Sequence, residues 1–377
     1  MLQNFVRFAL CAMLFFAVSC NRKPHNRVET DAVDSLKIEF ARGFSVAFHA
    51  GYKSVRVKNF RNINAPENRY YLVKDANTET PPDGVKVQIP LQRLAACSAT
   101  FYEFLQLLGE IESVVAVANG DIAYNQIIRD GITAGSIANL GDALSINVET
   151  ALALQPSALM TSGYNTADTH AERVEKAGIP LIINNEWQES SILGRAEWLK
   201  FIAAFYDKEQ FADSIFAEIV TRYQSAKNAA VQADVKPTVM SGANFRGTWY
   251  MPGGQSFMAQ LFSDAGADYF YKNDKSAASL PLNFETVLKN FADSDFWVNC
   301  DYVSFAQMRS TDEKNMLFKP AGEGNVWNFN KRTLPNGAND FWESGLAHPD
   351  LLLKDLIKIF HNNLLPDYEL TYAKKLD

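Results

Sequence analysis

Little in this sequence suits nucleic acid, zinc or known catalytic machinery. Lys and Arg number 36 against 43 acidic residues, a formal charge of −7, and no basic block exists to neutralise phosphates. Five histidines, at 25, 49, 170, 348 and 361, keep no ligand spacing, so neither a dedicated zinc site nor any other resident metal or cofactor is expected. Gly-x-Ser-x-Gly, His-Glu-x-x-His, a Walker loop and Gly-x-Gly-x-x-Gly after a strand are all missing. Cysteine is scarce too, at positions 11, 20, 97 and 300. Cys97 and Cys300 fall in different halves of the chain and are expected as free, buried thiols.

What is present describes a globular chain with an export signal. At 377 residues, with 47% hydrophobic and 21% charged residues, the chain exceeds what one core usually holds, and two lobes are expected. Arg7 is followed by an apolar run from Phe8 to Val18, too short for a stable membrane span and suited to a secretory signal peptide. The run ends in Ala17-Val18-Ser19-Cys20, which resembles the lipobox of bacterial lipoproteins, with Cys20 the lipidated residue. That resemblance implies an extracytoplasmic protein tethered to a membrane by acyl chains.

The chain is organised around the stretch from Asp207 to Val231. Phe211, Ile215, Phe216, Ile219, Val220 and Tyr223 recur at helical spacing, no Gly or Pro interrupts the run, and Asp207 with Gln210 fits a capping box. Phe216 and Val220 lie mid-stripe. The segments on either side both alternate strand-like and helix-like runs, which implies parallel sheets covered by helices. The expected fold is therefore α/β: two lobes, each with a central, mostly parallel sheet flanked by helices, joined by one long backbone helix. The boundaries are 1–20 for the signal peptide, 21–35 for a polar tether, 36–206 for the N-terminal lobe, 207–232 for the bridging helix and 233–377 for the C-terminal lobe.

Within the first lobe a β-rich prefix, 36–88, is expected as an antiparallel addition. Its strands are marked by Phe44-Val46-Phe48, Val55-Val57, Tyr70-Leu72 and Val85-Val87-Ile89. Thr100 with Glu103 fits a second capping box. Gly194-Arg195-Ala196-Glu197-Trp198 is expected to open a helix beneath the hinge, with Arg195 and Glu197 exposed.

Four segments carry a family resemblance. They are Ile89 to Glu110; Leu140-Gly141 with Asn147 to Pro156, a "G…N-x-E-x-x-x-x-L-x-P" pattern; Trp249 to Gly266; and His348-Pro349-Asp350 with the helix after it. In order and spacing they resemble the iron-chelate and vitamin B12 substrate-binding proteins of bacterial ABC importers, over about residues 89 to 365. The resemblance implies a non-catalytic, monomeric capture protein that holds a ferric siderophore, haem or cobalamin between its lobes and delivers it to an ABC permease driven by a separate ATPase. It also implies acidic docking residues on each lobe tip. The first maps onto Asp168 or Glu172; the second falls on Gln255, where the family's B12 binder has Glu, with Asp264 as a substitute.

Ligand contacts are expected in loops leaving strand ends: Ser98, Thr100, Tyr124, Asn125, Trp187, Arg246, Trp249, Tyr250 and Trp327. The aromatic residues offer flat apolar area with a polar edge, and Arg246 can pair with an oxygen-rich anion. A lipid-anchored hydrolase and a structural or adhesive lipoprotein are the competing classes. The first lacks a catalytic motif, and the second leaves the two α/β lobes without a purpose.

Overall fold

The computed structural model describes residues 32–60, 66–163 and 169–377. The signal sequence, Cys20 and Asp168 lie outside them. The first sheet contains β1 (Asp34–Ser35), β2 (Phe44–Phe48), β3 (Tyr52–Val57), β4 (Asn68–Val73) and β5 (Val85–Gln88), paired in that order. The first pairs are antiparallel, but β4 and β5 run parallel, with Tyr70 opposite Val85. The expectation of a wholly antiparallel prefix fails there because the connection 74–84 runs back along the sheet.

The second sheet is entirely parallel. Its strands are β6 (Leu94–Ala96), β7 (Val114–Val117), β8 (Ala138–Asn139), β9 (Ala158–Thr161) and β10 (Leu181–Ile183), in the order β10-β9-β6-β7-β8. Helices α1 (Thr100–Leu107), α2 (Gln126–Ala134), α3 (Val148–Leu154) and α4 (Thr169–Lys176) connect them. Strand order reverses between β6 and β9, so the loops leaving those two strands diverge and open a crevice.

Next come α5 (Ile192–Ala204) and α6 (Glu209–Ala230). All of α5 is buried, including Arg195, Glu197 and Lys200. The expectation that Arg195 and Glu197 face solvent is thus corrected, and their partners explain why. Glu197 accepts backbone N–H bonds from Glu39 at 2.9 Å, Phe40 at 2.7 Å and Ala41 at 2.8 Å. Lys200 lies 3.2 Å from Glu197 and 2.8 Å from Asp213, and Arg195 lies 2.6 Å from Glu186. Charges can be buried when paired and hydrogen-bonded in this way.

Helix α6 buries Ala212, Phe216, Ile219, Tyr223, Ala226 and Ala230, alternating steps of four and three along one face. Phe211 falls off that face and is 51% exposed. Asp207 does not cap the helix: its backbone is left-handed at φ 59°, and its carboxylate pairs with Lys53 at 2.5 Å and Lys74 at 2.6 Å. At 22 residues α6 is about 33 Å long. Ala212 packs in the first lobe's core and Tyr223, Ala226 and Ala230 in the second's. Helix α5 also joins both cores, through Ile192 and Leu193 on one side and Trp198 to Phe205 on the other. The bridging helix α6 is thus accompanied by α5, the helix expected beneath the hinge, which also spans both cores.

The second lobe holds β11 (Thr238–Ser241), β12 (Asn244–Phe245), β13 (Thr248–Pro252), β14 (Asp268–Tyr269), β15 (Ser279–Leu282), β16 (Phe296–Val298), β17 (Val326–Asn328) and β18 (Lys374–Lys375). Its main sheet runs β14-β11-β16-β17-β18, parallel except for β18, while β12, β13 and β15 form a small antiparallel sheet. Helices α7 (Phe257–Asp264), α8 (Phe284–Phe291), α9 (Phe305–Thr311), α10 (Lys319–Glu323), α11 (Asp340–Glu343) and α12 (Pro349–Phe360) complete it. Cys97 and Cys300 are both buried, and no disulfide joins them.

Candidate functional site

The cleft grows from the carboxyl ends of the first lobe's parallel strands. After β6 the chain turns through Ser98, whose hydroxyl shares a 3.0 Å hydrogen bond with that of Thr100. Thr100 is already inside α1 and Ala99 holds the cap position without a side-chain bond, so the capping box expected there does not form. Its other member, Glu103, instead meets His348 of the second lobe at 2.7 Å. After β9 come Ser162 and Gly163. Gly163 adopts φ 54°, and a Cβ there would sit 2.6 Å from Asn185 Oδ1, so no larger residue fits without displacing the floor.

Asn185 and Trp187 leave β10. The Asn185 amide donates to the Lys58 carbonyl at 3.1 Å, and the Trp187 indole N–H donates to the Ser162 carbonyl at 2.5 Å. Behind them, Arg195 holds Glu186 through its Nε at 2.8 Å and rests against the Phe257 ring of the second lobe, 5.0 Å from its centroid. Ser162 Oγ and Asn185 Oδ1 are buried and find no hydrogen-bond partner among the described residues. Buried polar groups of this kind call for a water or a further neighbour to satisfy them.

These residues line a cavity of about 850 Å³, closed on the second-lobe side by Trp342 and Leu346 and at the rim by Leu144. Trp342 is 55% exposed and packs edge-on against Phe341. The two tryptophans give the cavity flat apolar walls, while Ser98, Thr100, Asn119 and Asn185 add uncharged polar groups.

A second cavity of about 420 Å³ lies between α1, the 124–126 loop and the 332–348 region. Here Glu343 accepts the backbone N–H groups of Tyr124 and, at 2.8 Å, Asn125. Arg332 pairs with Asp340 at 2.9 Å and covers the Tyr124 ring. Burial above all pushes the Glu343 carboxyl up to about 7, against the pull of those two N–H groups. Burial likewise raises Asp340, with Ser344 and Arg332 opposing.

The structure therefore brings Ser98, Thr100 and Trp187 to the large cavity and Tyr124 and Asn125 to the smaller one. Four other candidates line neither. Trp249 is fully buried, its indole N–H donating to the Ser241 carbonyl at 2.8 Å and its ring packed on Trp297. Arg246 sits on the β12–β13 turn at φ 51°, exposed, with its guanidinium over Phe245. Tyr250 is exposed on β13, and Trp327 is half-buried against the second lobe's core.

Of the docking candidates, Gln255 is exposed just before α7. Glu172 is half-buried on α4, where it borders the large cavity and lies 3.4 Å from Lys176. Asp264 is unsuited as a substitute: it is buried and committed to Tyr223 at 2.7 Å and Lys227 at 2.8 Å. Trp342, Leu144 and Ser162 escaped the sequence reading. A tryptophan in the four-residue α11 has no periodicity to betray it; its one signal is Asn339, which caps that helix by accepting from Phe341 N.

Comparison with known proteins places this geometry. Residues 94–319 match the family model described as periplasmic binding protein. An uncharacterized lipoprotein of Methanocaldococcus jannaschii is 24% identical over 307 residues, covering 77% of this chain and 72% of its own. A possible iron-binding (periplasmic solute-binding) protein from Staphylococcus epidermidis superposes with a TM-score of 0.57 at 16% identity, over 72% of this chain and 100% of that one. A periplasmic heme-binding protein from Pseudomonas aeruginosa does so with a TM-score of 0.56 at 17% identity, over 76% and 98%.

Proposed function

The chain belongs to the periplasmic binding protein family, and we propose that it captures a metal chelate between its lobes and hands it to an ABC permease. The family binds solutes rather than transforming them, so the cleft is a receptor site and not a reaction centre. The observation that carries the reading is the cavity at the carboxyl ends of β6, β9 and β10, faced by Trp187 from one lobe and Trp342 from the other. Its volume of about 850 Å³ lies in the upper part of the range for small-molecule sites. Two tryptophans among hydroxyl and amide groups, with Arg69, Glu172, Glu175 and Arg195 also on the lining, suit a broad, partly flat, already chelated ion: a ferric siderophore, haem or a corrinoid.

The iron- and heme-binding descriptions of the structural neighbours support this ligand class. Ser98, Thr100 and Trp187 are the proposed ligand contacts from the first lobe, joined by Ser162 and Asn185, with Trp342 from the second. Export and lipidation at Cys20 would hold the mature, monomeric chain on the outer side of a membrane, in keeping with the lipoprotein description of its relative. Asp168 or Glu172 on one lobe and Gln255 on the other are the proposed permease contacts.

Titration of intrinsic tryptophan fluorescence with cyanocobalamin, hemin and a ferric hydroxamate tests the reading. Saturable quenching by one of them at micromolar concentration or below is expected. Flat titrations with all of them would overturn it.

A further inference from the structure

The N-terminal sheet precedes the stretch that matches the family model, 94–319, yet it is built into the cleft. The loop 183–189 carries Asn185 and Trp187, and the N-terminal sheet holds it along its length. Ile183 N–H donates to the Tyr70 hydroxyl at 2.8 Å, the Asn185 amide to the Lys58 carbonyl at 3.1 Å, and Phe60 N–H to the Gln188 side chain at 2.9 Å. Glu189 then accepts the N–H groups of Arg42 at 2.9 Å and Gly43 at 2.8 Å.

The cavity does not stop at this loop. It continues along β10, the edge strand of the parallel sheet, between Leu181 and Ile183 on one side and Asn68, Tyr70 and Val85 on the other. Tyr70 and Val85 are register partners on neighbouring strands, so they present one face, as does Asn68 two residues before Tyr70. A sheet edge is normally protected by direct covering. Here the cover leaves part of the same cavity between the two sheets, bounded where the Tyr70 hydroxyl meets Ile183 N–H.

We infer that the N-terminal sheet is a second wall of the ligand site. It fixes the loop bearing Asn185 and Trp187, and with Asn68, Tyr70 and Val85 it encloses a side channel for a pendant arm of the chelate. The inference rests on the proposed function, since it assigns to the same ligand a part that extends beyond the interlobe cleft. Ligand selection would then depend on residues that the family-matching stretch does not contain.

Filling the channel tests this. Val85→Trp and, separately, Asn68→Trp would be titrated with cyanocobalamin, hemin and ferrichrome. Lys86→Trp, on the opposite face of β5, is the control, and thermal midpoints report folding. For whichever probe the wild-type chain binds, each channel variant should weaken affinity at least tenfold with its thermal midpoint kept, while Lys86→Trp binds as wild type. Undiminished binding by the two folded channel variants, alongside loss in Trp342→Ala, would overturn the side wall and leave the interlobe site standing. Failure of the wild-type chain to bind any of the probes would overturn the proposed function and this inference with it.

Discussion

Glu343, on the second lobe, accepts the backbone N–H of Asn125, on the first, at 2.8 Å, and so joins the lobes through a buried carboxyl. Burial lifts that carboxyl from 4.5 to about 7, helped by Asp340 and opposed by the N–H groups of Tyr124 and Asn125 and by Arg129. A carboxyl whose folded pKa exceeds its unfolded one binds its proton more tightly in the folded chain. Its contribution is fullest below about pH 4.5 and is lost as pH rises through about 7. The thermal midpoint of the wild-type chain should therefore fall between pH 5 and 8 relative to Glu343→Gln, whose neutral amide does not titrate. Parallel midpoint curves for the two proteins would remove Glu343 from the account.

Phe216 sits where the two bridging helices meet the N-terminal segment. Its ring lies 5.9 Å from that of Phe40, edge-on, and the Lys200 ammonium lies 5.1 Å from its centroid. Phe216→Ala should cost about 3–4 kcal/mol in urea denaturation, as for other buried aromatics. Val220 is half-buried, and Val220→Ala should cost about 1 kcal/mol or less. Phe211→Ala, on the exposed face, should stay within about 0.5 kcal/mol of wild type.

Glu197 ties the start of the N-terminal sheet to α5 by accepting from Glu39, Phe40 and Ala41. Glu197→Ala strands those N–H groups and half of Lys200's pairing, and should destabilise by about 3–5 kcal/mol. Glu197→Gln keeps one acceptor oxygen and should lose less. Amide exchange at 39–41 should quicken most in the alanine variant; unchanged protection there would contradict the clamp.

Cys20→Ala should move the protein from the membrane to the soluble fraction on cell fractionation. No helix among the described residues is long and apolar enough to cross a membrane. A processed Cys20→Ala chain that still sediments with membranes would contradict lipid anchoring.

Much of the frame was legible because local pattern decides it. Asn283 caps Phe284–Phe291, and the apolar run Val114–Val117 is a strand, as their residue types dictate. What stayed hidden depends on partners distant in sequence. Arg195 and Glu197 look like a solvated face until Glu186 and the N–H groups of Glu39 to Ala41 are brought to them by the fold. Asp207 looks like a cap until Lys53 and Lys74 draw its carboxylate away. Trp249 and Trp342 are equally aromatic in sequence, yet Ser241 and Trp297 take the first into the core while the second is left facing the cleft. Strand direction in β4 and β5 is invisible to alternation, which is the same for parallel and antiparallel pairs.

The central claim is that a metal chelate sits between Trp187 and Trp342, and calorimetric titration of wild type and Trp342→Ala tests it most directly. With cyanocobalamin, hemin and ferrichrome as probes, the wild-type chain should take up one of them with a stoichiometry of about one per chain. Trp342→Ala should bind it at least tenfold more weakly at an unchanged thermal midpoint, a loss of about 1.4 kcal/mol or more. Heat of binding that is the same in wild type and Trp342→Ala, or absent for every probe in the wild-type chain, would contradict the account.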